Sequence, residues 1–262
     1  MKFLKQILDF YIHSSLHVAL AIASLVGVTT YSLKIEQFEN NVFLVFFGTL
    51  IGYNFLKYLQ PILHGTFKIK NHKTLIFITL FSICAAGYLF FQLLFSAQIL
   101  LIMLFLLVCF YPLIRKLGWL KIFWVGFCVT EITVHFPLVT HQMELSTFVL
   151  LAFKRFFIVI ALLIPFEIYD SKLDAPTLQT LPQRFGIVAA KIIGYTMIGL
   201  FLLFDFLNNS LGFINISIAT ISIAAINFSS INRNHYYTSF WVESIPILWL
   251  FLYIIDSNTT FY

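Results

Sequence analysis

The sequence predicts an all-α, polytopic membrane helix bundle of nine transmembrane helices, forming a single integral-membrane domain over residues 1–262. Three observations carry that reading. Hydrophobic residues make up 60% of the chain and charged residues 10%, against about 45–50% and about 25% in soluble domains, so too little polar surface exists to face water. Mean hydropathy is +0.94. The apolar residues fall in continuous runs rather than in alternation, which excludes transmembrane strands and leaves helices to satisfy a lipid-exposed backbone. At about 20 residues per crossing, 262 residues leave no room for a large soluble appendage.

Residues 1–10, with Lys2 and Lys5, have the basic character of a signal-peptide start, but Asp9, His13 and His17 interrupt the run that follows. An amphipathic entry to the first span is expected instead. Nine apolar runs then succeed one another at 15–33, 41–60, 74–94, 97–113, 120–139, 146–169, 186–207, 211–231 and 237–255. Cys84, Cys109 and Cys128 lie inside these runs without metal spacing or a C-x-x-C pair, and are expected to pack as small side chains.

Lys and Arg set the orientation. With the N-terminus cytoplasmic, that side receives Lys2, Lys5, Lys57, Lys68, Lys70, Lys73, Arg115, Lys116, Lys121, Lys172, Arg184, Lys191 and Arg233. The other side receives only Lys34, while Lys154 and Arg155 fall within the sixth span. Nine crossings with the N-terminus inside and the C-terminus outside follow from the positive-inside rule. The expected place is a bacterial inner membrane, in contact with membrane lipid. The same distribution accounts for a pI near 9.1 without nucleic acid as a partner. The cytoplasmic segments after spans two and six, 60–73 and 170–185, are the longer and more polar ones, and His64 and His72 in the first of them are expected to be ordinary loop residues.

Three of the 11 acidic residues, Glu167, Asp170 and Asp174, crowd the end of span six. At about 100° per residue they point within roughly 60° of one another if the helix persists. Carboxylates so placed repel and are expensive near hydrocarbon unless a cation joins them, and oxygen donors suit Mg²⁺. A solvated polar cluster neutralised by Lys172 is the alternative reading.

Asp170-Ser-Lys-Leu-Asp174 is followed by Thr180-Leu-Pro-Gln-Arg-Phe-Gly186, and Tyr111-Pro-Leu-Ile-Arg-Lys116 precedes them. Together these segments resemble the UbiA superfamily of intramembrane prenyltransferases, with its nine helices, inside N-terminus and second aspartate-rich motif. The resemblance implies transfer of an isoprenyl group from its diphosphate to an aromatic or lipophilic acceptor. It implies Asp170 and Asp174 as catalytic residues that hold Mg²⁺ together with Glu167, and Arg115, Lys116 and Arg184 as diphosphate contacts. The family's first motif, N-D-x-x-D, should lie at Gly52–Tyr58. There Asn54 matches, but Phe55 and Tyr58 stand where both aspartates belong. Half the carboxylate ligands are thereby lost, which impairs the implied reaction. Lys57, three residues after Asn54, either stands in for the missing cation charge against a diphosphate or pairs with Asp170 or Asp174 and closes the site.

A second polar group lies deeper. Glu131 and His135 on span five can meet Lys154 and Arg155 on span six near mid-membrane, with Glu243 as a further partner. An ion pair locking the two helices and a proton-coupled carrier are both open to this group. A noncatalytic relative that binds a lipid or protein partner is the third functional class.

Overall fold

The computed structural model describes residues 2–35, 39–63, 72–141, 143–208 and 211–259. The polar segment around Lys68 and Lys70, with His64, lies outside them. Helices occupy all nine predicted positions: α1 Lys2–His13 leading into α2 Leu16–Ser32, α3 Glu39–Leu63, α4 His72–Phe90, α5 Phe95–Cys109, α6 Tyr111–Ile114 and α7 Lys121–Thr130. After these come α8 Phe136–Leu138, α9 Leu145–Asp170, α10 Leu181–Phe185, α11 Ile187–Leu207, α12 Phe213–Phe228 and α13 Ile245–Thr259.

Judged by length and apolarity, five helical stretches among the described residues are able to cross a membrane, and six if α1 and α2, bent by 61°, count as one. The number falls below nine for identifiable reasons. Phe95–Leu138 runs on for 44 residues and so contains two of the expected spans, and α12 has only 16 residues. α3 has 25 residues but carries Asn40, Asn41, Asn54, Lys57 and Gln60. The expected amphipathic entry is α1, which ends at a left-handed Ser15.

The core is built around α9. Ile158, Ile160, Ile164 and Ile168 are fully buried among residues of α2, α11, α12 and α13. Close approach is secured by Gly194 on α11, where a Cβ would lie 2.7 Å from Ile226 and 3.2 Å from Ile164. On the outside the pattern inverts: Phe77, Phe81, Val188 and Phe213 are among many exposed apolar side chains, as a lipid-facing surface requires.

Proline shapes the seventh helix. Glu131–His135 forms a π-turn, and Pro137 two residues later has no N–H to give to the Thr133 carbonyl four residues back. Thr29 Oγ1 of α2 fills that gap, donating to Thr133 O at 2.7 Å.

A cationic plug in the candidate headgroup site

α9 delivers Glu167 and Asp170 on its last turns and stops at Asp170. Asp174 is then brought back by a turn in which its N–H donates to Asp170 O at 2.8 Å. Gln183 braces this turn from α10, donating to Ser171 O at 3.1 Å and Asp174 O at 3.0 Å while its Oε1 accepts from the Thr180 N–H. The Thr180–Gly186 segment is therefore a clamp on the acidic loop.

Opposite it stands the turn Arg115–Leu120. Gly118 there has φ 65° and ψ −115°, and a Cβ would sit 2.1 Å from Leu178 O. Only glycine permits this backbone conformation and this contact with the Pro176–Leu178 turn. The result is an ion-pair cluster. Arg115 Nη2 donates to Asp174 Oδ1 at 2.8 Å, and Lys121 Nζ lies 3.0 Å from Asp174 Oδ2 and 3.2 Å from Glu167 Oε1. Burial pushes the Asp174 carboxyl up, but the hydrogen bonds from Lys121 and Arg115 outweigh that and hold it below the ordinary carboxylate value.

Magnesium does not fit this donor set. The Lys121 ammonium already bridges Glu167 and Asp174, and among the described residues no group of three or more His, Cys, Asp or Glu converges as a metal site. Glu167 Oε2 is buried without a partner, yet one orphan oxygen is far short of a hard-cation shell. Lys172 donates to Ile231 O at 2.7 Å and lies over the Tyr169 ring, within electrostatic reach of Asp170 but in no ion pair with it.

The other expected contacts divide. Arg115 joins the cluster and keeps its side chain 52% exposed, so further donors remain available, and Lys116 is exposed beside it. Arg184 is turned elsewhere, over Trp119 and Phe185 at 5.8 and 5.3 Å. Asn54 donates to Thr79 on α4 at 3.1 Å and its Oδ1 is buried without a partner. Lys57 pairs with neither Asp170 nor Asp174. Its Nζ donates to His13 O at 3.1 Å and it interacts electrostatically with Glu243, while Tyr58 donates to the same His13 carbonyl at 2.5 Å. Lys57 and Tyr58 thus hold the α1–α2 corner. Tyr111, Asp170 and Glu243 lie in electrostatic reach of Tyr53, and the four outline the mouth.

The mid-membrane group is rearranged as well. Glu131 is bound to His135, 2.7 Å away, rather than to Lys154 or Arg155. Lys154 instead pairs with Asp205 of α11, and Asn215 of α12 donates to both Asp205 oxygens at 3.1 and 2.9 Å. Lys121 and Asp205 are the two residues the sequence reading did not single out. Each is an ionisable residue inside an apolar run, which is itself a signal that a partner is needed.

No family model and no curated protein matches the sequence. The fold is similar to the apo structure of a UbiA homolog from Aeropyrum pernix K1, with a TM-score of 0.61 at 13% identity, covering 94% of this chain and 98% of that one. The chain has the UbiA-like, all-helical membrane fold that the motifs at 167–186 led us to expect.

Proposed function

We propose that this UbiA-like membrane protein binds a prenyl-type lipid, with the chain in the bundle and the phosphate or diphosphate at the mouth, and does so without magnesium. The carrying observation is the Lys121 ammonium seated between Glu167 and Asp174, where a divalent cation would otherwise be required. A fixed ammonium neutralises the carboxylates permanently and leaves Arg115 and Lys116 to meet phosphate oxygens. Asn54, with its orphan Oδ1, accepts from a protonated headgroup oxygen. In this reading the basic side of the bundle faces the cytoplasm of a bacterial cell, as the inside-positive rule favours, with the C-terminus outside.

Magnesium-dependent transfer to a lipophilic acceptor is the second reading, favoured by the Asp170-to-Gly186 segment and by an Asp170 carboxylate that makes no ion pair among the described residues. One experiment separates them. Purified protein is melted with geranylgeranyl diphosphate in EDTA or in Mg²⁺, and product is sought with an aromatic acceptor. The binding reading expects the same rise in Tm in both buffers, reduced by Arg115→Ala, and no product. Magnesium-dependent product refutes it in favour of the enzyme, and no rise in either buffer refutes lipid binding.

A further inference from the structure

A second polar centre lies about 22 Å along α9 from Asp170, counting the 15 residues back to Arg155 at about 1.5 Å each. There the end of α2, the first half of α9 and the first two-thirds of α13 enclose a cavity of ≈ 20 Å³ bounded by Thr29, Ser32, Lys154, Arg155, Trp249 and Tyr253. One water needs about 10–15 Å³ measured this way, so the space suits one or two waters or a single ion of similar size.

The charges around it do not balance. Lys154 is neutralised by Asp205, and the two bonds from Asn215 commit that carboxylate further. Asn215 Oδ1 is engaged in turn by Trp249 Nε1 at 3.1 Å. Arg155 is 5% exposed and stays protonated at any ordinary pH. Its Nη2 donates to Thr29 Oγ1 at 2.9 Å and its guanidinium lies 5.0 Å from the Trp249 ring, but its Nη1 is buried with no partner. No carboxylate of the described residues comes within 4.0 Å of it, and Glu131, the partner expected from the sequence, is held by His135. A buried cation with an idle donor is among the costliest features a bundle can carry, and removing the cost takes an anion.

We propose that this cavity is a binding site for a halide-sized monovalent anion held by the Arg155 guanidinium. The Tyr253 hydroxyl, whose contact to Asn215 Oδ1 is long at 3.4 Å, turns to supply a second donor. The volume excludes sulfate, inorganic phosphate and lipid phosphate, and the site is independent of the headgroup site at the other end of α9.

The test uses the full chain in detergent, melted in sodium chloride and in sodium gluconate at equal ionic strength. Chloride raises Tm by about 4 °C in a saturable manner. Arg155→Gln removes the dependence on the anion. Because that variant loses a buried side chain and can fail to fold, crystals of the unaltered protein grown in sodium bromide provide the second measurement, with an anomalous peak beside Arg155 Nη1. Equal melting in the two salts, a cavity containing only water in the bromide crystals, or an equal gain from sulfate each overturns the proposal.

Discussion

Lys121→Met keeps the length of the side chain and removes its charge. In the native cluster the Lys121, Glu167 and Asp174 side chains are 7%, 10% and 7% exposed, which places the interaction in the buried regime rather than among surface pairs of 0–1 kcal/mol. At an effective dielectric of about 20, unit charges 3 Å apart attract by roughly 5 kcal/mol. Asp174 keeps Arg115 after the substitution, but Glu167 is left with no cation. The loss is therefore that of breaking one buried pair, about 3–5 kcal/mol, and at about 2–4 °C per kcal/mol for a chain of this size Tm falls by roughly 6–20 °C. Thermal unfolding in detergent followed by near-UV circular dichroism reads it. Lys121→Met combined with Glu167→Gln recovers more than half of the loss, because the uncharged amide no longer needs the ammonium. Mg²⁺ raises Tm of the single variant and leaves the unaltered protein unmoved. Additive losses in the double variant, or magnesium stabilisation of the unaltered protein, refute the reasoning.

Asp174 gives a pH signature. Its folded value lies below its unfolded value, so its stabilising contribution is complete above about pH 4 and is lost as pH falls through the folded value. Tm measured from pH 6 downward drops below about pH 4, and Asp174→Asn flattens that part of the profile. Gly118→Ala places a Cβ 2.1 Å from Leu178 O at φ 65°, and costs at least about 2–3 kcal/mol, since both the backbone and the packed turn must yield. The accompanying loss of the Arg115–Asp174 contact appears as a weaker acid transition.

The helix positions were legible because continuous apolar runs leave the chain no other way to satisfy its backbone in lipid. The acidic cluster was legible for the same reason, since Glu167, Asp170 and Asp174 are conspicuous against hydrocarbon. Their partner was not. Lys121 sits one residue into an apolar run and reads as one more inside-positive charge, whereas its approach to Asp174 depends on a glycine turn at 118 and a clamp from Gln183, both of which act through tertiary contact. Lys57 was the nearer candidate along the second helix, yet its reach is spent on the His13 carbonyl, because the α1–α2 corner presents unpaired carbonyls just there. The deep group failed similarly: antiparallel helices brought Glu131 and Lys154 to the same depth on paper, but the π-turn rotates Glu131 toward His135, and Asp205 on α11 supplies the missing carboxylate.

The two polar centres obey one rule with opposite outcomes. At the C-terminal end of α9 the two most buried carboxylates, Glu167 and Asp174, share the Lys121 ammonium, which leaves Asp170 as the member of the cluster without an ion pair among the described residues. At the other end of α9 the permanent pairing runs out one residue early: Asp205 satisfies Lys154, and Arg155 beside it faces hydroxyls and an indole but no carboxylate among the described residues. Phe55 and Tyr58 bring no negative charge to the mouth, and Lys121 supplies a fixed positive charge to Glu167 and Asp174. Placing two cations, Lys154 and Arg155, beside the one carboxylate of Asp205 has the converse effect and favours the anion proposed above. Charge neutrality in a low dielectric is therefore the common cost behind both proposals, a lipid site that works without magnesium and an anion site beside Arg155.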